Sequence, residues 1–226
     1  MGRDTGGPET GVTVTSVCHP TKMTPANVTP ATASADALFL EGLGVFSQAV
    51  EAVGADGWER PSPCAGWRAV DVLGHVGAAV RFGTATLRQE SPTWAPTDSP
   101  GEAVTTPPAQ WWADLVEPAR AAVASADLDQ VIDGPTGPRS VREGLSFPAV
   151  DLFVHAWDLA SSAGQAIEIP EDVIGFAHSL ADHMPEALMR NERVFGPVRT
   201  SAPDASATAT FLAWTGRDPD WTPPGT

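Results

Sequence analysis

Apolar side chains recur at helical spacing in five stretches of the chain. These stretches predict amphipathic helices over residues 34–53, 69–89, 108–126, 147–163 and 170–191. No stretch alternates convincingly between apolar and polar residues, as an exposed strand would. The pattern therefore indicates an all-α fold in which several helices pack as a bundle.

Proline, glycine and serine residues mark the expected ends and bends of these helices. We expect Pro118 to kink the third helix and Pro185 to bend the fifth. Ser146 is expected to cap the fourth helix, and Gly164 is expected to end it. A short closing helix is expected over residues 206–215.

Segments rich in glycine, proline and small polar residues are expected to be irregular. They include residues 58–67 and 90–107, together with a loop that contains Gly134, Gly137 and Pro138. Such residues interrupt both helical and strand hydrogen bonding. These segments therefore serve as connections between the predicted helices.

One folded domain is expected, with an extension at either end. Residues 1–32 have almost no large apolar side chains, so they cannot bury enough surface to offset their ordering entropy. We therefore expect a flexible extension over 1–32, a helical bundle over 33–215 and a flexible tail over 216–226.

The net charge indicates which classes of partner to exclude, and the cysteine content indicates which cellular compartment to expect. The formal net charge is −15, which disfavours nucleic acid and anionic membranes as partners. No apolar run is long enough to span a membrane, and the N-terminus lacks the pattern of a secretory signal. Cys18 and Cys64 are too few for a disulfide framework, so a reducing, cytoplasmic location is expected.

The residues most suggestive of chemistry lie in the fourth and second predicted helices. Asp151 and His155 are four residues apart and share one helical face, which Asp158 continues at the next turn. His75 lies midway along the second helix among small apolar residues. Two histidines and one carboxylate form a catalytic arrangement for zinc, iron or nickel. The alternative is a hydrogen-bonded pair on one helix and an unrelated histidine.

Cys64 and Trp157 are further candidates. Cys64 precedes the second helix, where a thiolate would be stabilised, and an inert buried cysteine is the alternative. Trp157 adjoins the proposed ligands and is expected either to pack in the core or to line a substrate pocket.

Two motifs in a fixed order resemble a known family. The first is Pro61-Ser-Pro-Cys64-Ala-Gly-Trp67 followed by Asp71-Val-Leu-Gly-His75, and the second is Asp151 followed by His155-Ala-Trp-Asp158. This order resembles the mycothiol-dependent maleylpyruvate isomerase N-terminal family, which belongs to the DinB-like metalloenzymes.

The resemblance implies a DinB-like up-down four-helix bundle with an extra helical segment near the C-terminus. It implies a divalent metal, usually zinc, held by His75, Asp151 and His155. The isomerase typically has glutamate where this chain has the shorter Asp151. The isomerase also carries a second domain, which we do not expect here.

Three functions follow as hypotheses. The first is a metal-dependent enzyme acting on a small molecule, in which a metal-bound mycothiol thiolate performs S-transfer or assists an isomerisation. Asp158 would then support a ligand or carry a proton. The second is a thiol-independent Lewis-acid enzyme, such as a cyclase or hydrolase of secondary metabolism. The third is a metal-stabilised protein that binds a ligand without turning it over.

Overall fold

The computed structural model describes residue 1 and residues 33–91, 97–134, 137–190 and 194–224. The chain divides into two units, residues 1–30 and 31–226, and all elements described below lie in the second. The extension expected over 1–32 falls outside the described residues, apart from Met1.

The predicted helices are present, and all except the fifth begin and end within one residue of expectation. The long helices are α1 (Ala35–Val53), α2 (Ala69–Arg88), α3 (Pro108–Ser125), α5 (Ser146–Ser162) and α6 (Glu171–Asp182). Shorter helices are α4 (Val141–Gly144), α7 (Glu186–Met189) and α8 (Ala207–Trp214), and a 3₁₀ turn spans Pro100–Ala103.

Helices α1, α2, α3 and α5 form the bundle. Helix α1 packs against α5 and α3, and α2 also packs against α3 and α5, so the consecutive helices α1 and α2 occupy opposite corners. The segment that joins them must therefore cross one end of the bundle. Large side chains that are fully buried fill the interior, among them Phe39, Phe46, Leu73, Leu152 and Phe153.

Helix α5 is the central helix, because it is buried on nearly every side. Most of its buried positions are apolar, in keeping with its hydrophobic sequence. His155 and Asp158 are the exceptions with titratable side chains, at 8% and 0% exposure. Buried groups of this kind need partners, since an unpaired buried charge is costly.

The segment between α1 and α2 is held in a fixed shape. Residues 61 and 68 form a bridge, and the amide of Ser62 donates to the carbonyl of Trp67 at 2.9 Å. At the start of α2, the Asp71 carboxylate accepts hydrogen bonds from the Arg68 amide at 3.0 Å and from the Gly101 amide at 3.1 Å. These contacts fix Cys64 and Trp67 just before the helix that carries His75.

The region expected to be a glycine-rich loop contains an antiparallel hairpin instead. Strand β1 (Val131–Gly134) pairs with β2 (Gly137–Ser140). The expectation of no strand was wrong here because the strands are short and lack the alternating pattern of a half-buried strand. The short helix α4 follows, and Ser140 caps it by accepting from the Glu143 amide at 3.1 Å.

Two expected details of the later helices were also wrong. Ser146 does not cap α5, because it is the first residue of that helix and α4 ends immediately before Leu145. The fifth predicted helix is interrupted rather than bent, since α6 ends at Asp182 and α7 starts after Pro185. Proline at that position cannot donate the amide hydrogen bond that a continuous helix needs.

The segment after α8 turns back onto the bundle. Gly216 has a φ of 91°, and the Arg217 amide donates to the carbonyl of Leu212 at 2.9 Å. This left-handed turn ends the helix, as glycine commonly does. Gly216 also lies against the backbone of Gly196, where a Cβ would clash. The folded contacts thus extend past residue 215, the boundary expected from the sequence.

Within the described residues, no helix combines the length and hydrophobicity needed to cross a membrane.

Candidate metal centre

Three of the predicted ligands meet where α2 packs against α5. The Nε2 atom of His75 lies 3.7 Å from Oδ2 of Asp151. The ligand atoms offered by His75, Asp151 and His155 all lie within 4.8 Å of one another, and the two imidazole rings meet edge to face at 4.7 Å. The structure therefore brings together the three side chains that the sequence singled out.

This donor set fits a divalent transition metal. Around a tetrahedral zinc with bonds of about 2.0–2.1 Å, two ligand atoms are about 3.4 Å apart. The 3.7 Å between Nε2 of His75 and Oδ2 of Asp151 is close to that value, and the ligand atoms of all three residues lie within 4.8 Å of one another. Two imidazoles and one carboxylate leave a coordination position open for water or substrate.

The electrostatics favour the protonation states that a metal requires. Burial lowers the pKa of His155, which keeps its imidazole neutral. Burial opposes ionisation of Asp151, but the interaction with His75 outweighs it, so the pKa of Asp151 is lowered. The Asp151 side chain is 32% exposed, so solvent reaches the cluster on that side.

Asp158 supports His155 from behind. Its Oδ2 lies 2.8 Å from Nδ1 of His155, which leaves Nε2 as the ring nitrogen available to a metal. Carboxylates commonly hold metal-binding histidines in this way, by fixing the tautomer and the ring orientation. This geometry favours the supporting role for Asp158 over the solvated carboxylate that the sequence left open.

Arg217 contacts this cluster and was not among the site residues predicted from the sequence. Its Nε donates to Oδ1 of Asp158 at 2.8 Å, and its Nη2 donates to Oδ2 at 2.7 Å. Burial alone would raise the pKa of Asp158, but the Arg217 charge and the bond from His155 hold that pKa far below its usual value. Arg217 lies in the segment 216–226 that was expected to be a flexible tail, so the sequence gave no reason to connect it with α5.

Cys64 contributes a hydrogen bond rather than a nucleophile. Its Sγ lies 3.2 Å from Oδ2 of Asp158 and 3.9 Å from Nδ1 of His155. Burial and the Asp158 charge raise the pKa of the thiol well above its usual value, so it stays protonated and donates. Cys64, His155 and Asp158 lie close enough together to hold a cation. However, Arg217 already binds both oxygens of Asp158, and its positive charge would repel a metal cation at that position.

The two tryptophans nearest these residues take different positions. The Trp67 ring lies 5.2 Å from the ring of His75 and 6.4 Å from that of His155, so it forms a wall of the site. Trp157 is 6% exposed and lines a separate cavity of about 200 Å³ with Trp221 and Ser161. The predicted role of Trp157 in substrate binding stays a prediction.

The comparisons with known proteins bear on the family and the fold of the chain. The sequence profile of the mycothiol maleylpyruvate isomerase N-terminal domain matches residues 40–160, more than half of the chain. No curated protein sequence matches significantly.

Two crystal structures match part of this chain. One, of the mycothiol-dependent maleylpyruvate isomerase, matches with 17% identity and a TM-score of 0.51 over 63% of this chain and 65% of the isomerase. The other, of a histidine-to-alanine mutant of that isomerase, matches with 16% identity and a TM-score of 0.49 over the same shares. The predicted DinB-like helical fold is confirmed, and this chain spans 65% of the length of the isomerase.

Proposed function

Because the chain belongs to the mycothiol maleylpyruvate isomerase N-terminal domain family, we propose that it is a metal-dependent enzyme using a small thiol, mycothiol, as co-substrate. It would transfer the thiol sulfur to an electrophilic small molecule or isomerise that molecule by reversible thiol addition. The observation that carries the proposal is the cluster of His75, Asp151 and His155, backed by Asp158.

The residues that would hold the metal are His75, Asp151 and His155. A divalent metal bound there would supply positive charge that lowers the pKa of a thiol enough for deprotonation near neutral pH. Zinc suits two imidazoles and one carboxylate best, and nickel or iron would also be accepted.

The charge balance of the chain's own side chains favours a thiolate at this site. Of the three proposed ligands only Asp151 is negatively charged, because the imidazoles are neutral ligands. The second carboxylate, Asp158, is neutralised by Arg217. A dication would therefore leave the cluster with net positive charge, which attracts an anionic sulfur.

The chemistry requires the site to orient two small molecules and release one proton. The proton of the thiol leaves to solvent, which reaches the cluster beside the partly exposed Asp151. The sulfur lone pair then forms a bond to the electrophilic carbon, and the displaced group or double-bond electron pair takes a proton. In an isomerisation, the former double bond rotates as a single bond, and loss of the added proton together with the same thiolate restores the double bond. Trp67 shields one side of the cluster from water.

The first test is metal content by mass spectrometry on protein purified without added metal. We expect about one equivalent of a transition metal in the wild type and little in His155→Ala. His183→Ala is the matched control, since His183 is exposed at the C-terminal end of α6 and Nδ1 of its ring lies 2.6 Å from the carbonyl oxygen of Ser179. Wild-type protein that stays free of metal after dialysis against zinc would refute the proposal.

The second test separates the thiol-dependent reaction from a thiol-independent Lewis-acid reaction. Mycothiol is titrated calorimetrically into the metal-loaded and the metal-free protein. Binding that requires the metal supports the proposed function. A metal-loaded protein that binds no mycothiol at millimolar concentration would favour the cyclase or hydrolase hypothesis.

A further inference from the structure

We infer that Arg217 is a positioning residue of the metal centre, and that it acts by locking Asp158 in the orientation that holds the His155 ring. This inference rests on the metal site proposed above. The segment after α8 would then contribute a residue to the metal centre, although the proposed ligands all lie on α2 and α5.

The geometry of the pair is that of a two-point clamp. Arg217 donates to both oxygens of Asp158, at 2.8 Å and 2.7 Å, and its Nη1 donates to Oγ1 of Thr215 at 3.2 Å. The side chain of Asp158 is fully buried and that of Arg217 is 12% exposed. A paired, planar contact of this kind fixes the carboxylate plane as well as its charge.

The orientation of this carboxylate determines what His155 can do. Oδ2 of Asp158 accepts from Arg217 and from the Cys64 thiol at 3.2 Å, and it lies 2.8 Å from Nδ1 of His155. With the plane fixed, one oxygen faces Nδ1 and the ring presents Nε2 for a metal. Without Arg217 the carboxylate could rotate about its last bond, and its buried charge would lack a cation.

The backbone delivers Arg217 to this position through the turn at Gly216. Helix α8 is anchored by buried Phe211 and Leu212, and Thr208 bonds the backbone of Ile169. The positive φ of Gly216 then reverses the chain immediately before Arg217. The position of Arg217 therefore depends on packing contacts of α8 that lie outside the ligand cluster.

The experiment measures zinc dissociation constants by chelator competition for a set of variants. We expect Arg217→Gln to weaken zinc binding about tenfold and Asp158→Asn about 10- to 100-fold, the range seen when partners of metal-binding histidines are removed. Arg217→Lys keeps the charge but loses the planar two-point contact, so it should fall between wild type and Arg217→Gln.

The double variant Asp158→Asn/Arg217→Gln is the decisive member of the set. If Arg217 acts through Asp158, the double variant should bind zinc no more weakly than Asp158→Asn alone. The double variant also removes the unpaired buried charge, so it reports on the inference even if Arg217→Gln fails to fold. Additive losses would overturn the inference, because they would mean that Arg217 acts independently of Asp158.

Arg199→Gln is the matched control. Arg199 forms an ion pair with Asp218, the residue after Arg217, through one contact of 3.2 Å, and both side chains are about half exposed. Its loss should leave zinc affinity unchanged. An equal loss in Arg199→Gln and Arg217→Gln would assign the effect to the segment as a whole and overturn the specific role of Arg217.

A readout without metal separates this inference from the proposed function. Nitrogen-15 NMR of the metal-free protein should show His155 as the Nδ1–H tautomer in the wild type and as a mixture of tautomers in Arg217→Gln. An unchanged tautomer together with unchanged zinc affinity would overturn the inference. Wild type that binds no zinc would refute the metal site, and the tautomer would then still decide whether Arg217 positions the ring.

Discussion

The His75 and Asp151 side chains face each other from α2 and α5, with 3.7 Å between Nε2 and Oδ2. This distance exceeds the 2.7–3.2 Å of an ordinary hydrogen bond by about half an ångström. It is close to the separation of about 3.4 Å between two ligands of one tetrahedral zinc. The two atoms therefore have nearly the spacing that two ligands of one zinc ion require.

Removing the charge of Asp151 should remove most of the metal affinity. We expect Asp151→Asn to weaken zinc binding by at least about 100-fold, since even partners of ligands contribute 10- to 100-fold. Asp151→Glu keeps the carboxylate and should retain metal at a stoichiometry near the wild type. Competition with a chromogenic chelator measures both. Equal affinity in the wild type and Asp151→Asn would exclude Asp151 as a ligand.

Replacing two glycines of α1 with alanine should change the stability of the fold in opposite directions. A Cβ at Gly42 would lie 2.8 Å from Cβ of Leu152, so Gly42→Ala should destabilise the fold by about 1–3 kcal/mol through overpacking. At Gly44 the nearest atom is an Arg120 nitrogen at 3.8 Å. Gly44→Ala should therefore stabilise by about 0.5–1 kcal/mol through helix propensity. Urea unfolding of both variants checks the contrast, and equal effects would contradict it.

Asp71 should make the stability of the fold depend on pH in the acid range. Burial opposes ionisation of this carboxyl, but bonds from Arg68 and the Gly101 amide outweigh it, so its pKa in the folded protein lies below the usual value near 4. Because the pKa of Asp71 is lowered in the folded protein, ionised Asp71 contributes its full stabilisation at pH values above the usual pKa. The contribution is lost as pH falls through the folded-state pKa.

Asp71→Asn should thus cost about 1–3 kcal/mol at pH 7, and the difference from the wild type should shrink below about pH 4. Urea unfolding at pH 7 and pH 3 measures it. Asp114→Asn, at an exposed position of α3, is the control and should change little at either pH. A difference for Asp71→Asn that grows towards acid would contradict the sign argued here.

Thr208 should be important because its hydroxyl satisfies a buried backbone amide. Oγ1 of Thr208 accepts from the Ile169 amide at 2.9 Å, and the residue is 4% exposed. Thr208→Val keeps the shape but leaves that amide without its acceptor, so we expect a loss of about 1–3 kcal/mol. Thr208→Ser keeps the hydroxyl and should cost less. Thermal unfolding of the two variants tests this, and a milder effect of valine than of serine would argue against the hydrogen bond.

The part of the fold that the sequence predicted is the part with strong periodicity. The ends of α1, α2 and α3 fall within one residue of expectation, because long amphipathic stripes are recognisable without knowledge of tertiary packing. The hairpin of β1 and β2 was missed because its pairing depends on the partner strand rather than on a local pattern. The interruption near Pro185 was underestimated as a bend.

The candidate site was predictable to the extent that its residues share a helix. Asp151, His155 and Asp158 follow from helical spacing, and the resemblance to a family supplied the pairing with His75. Arg217 is 59 residues from Asp158 in sequence, and its contact depends on how α8 packs and where Gly216 turns. No local rule links positions that far apart.

The long separation between Asp158 and Arg217 has a consequence for biosynthesis. At translation rates of about 5–20 residues per second, the 59 residues between them correspond to about 3–12 s. During that interval the nascent chain already contains all three proposed ligands but lacks the cation that neutralises the carboxylate behind them. The proposed ligands are thus synthesised before the residue proposed to orient them, so the complete centre can form only after Arg217 has been translated.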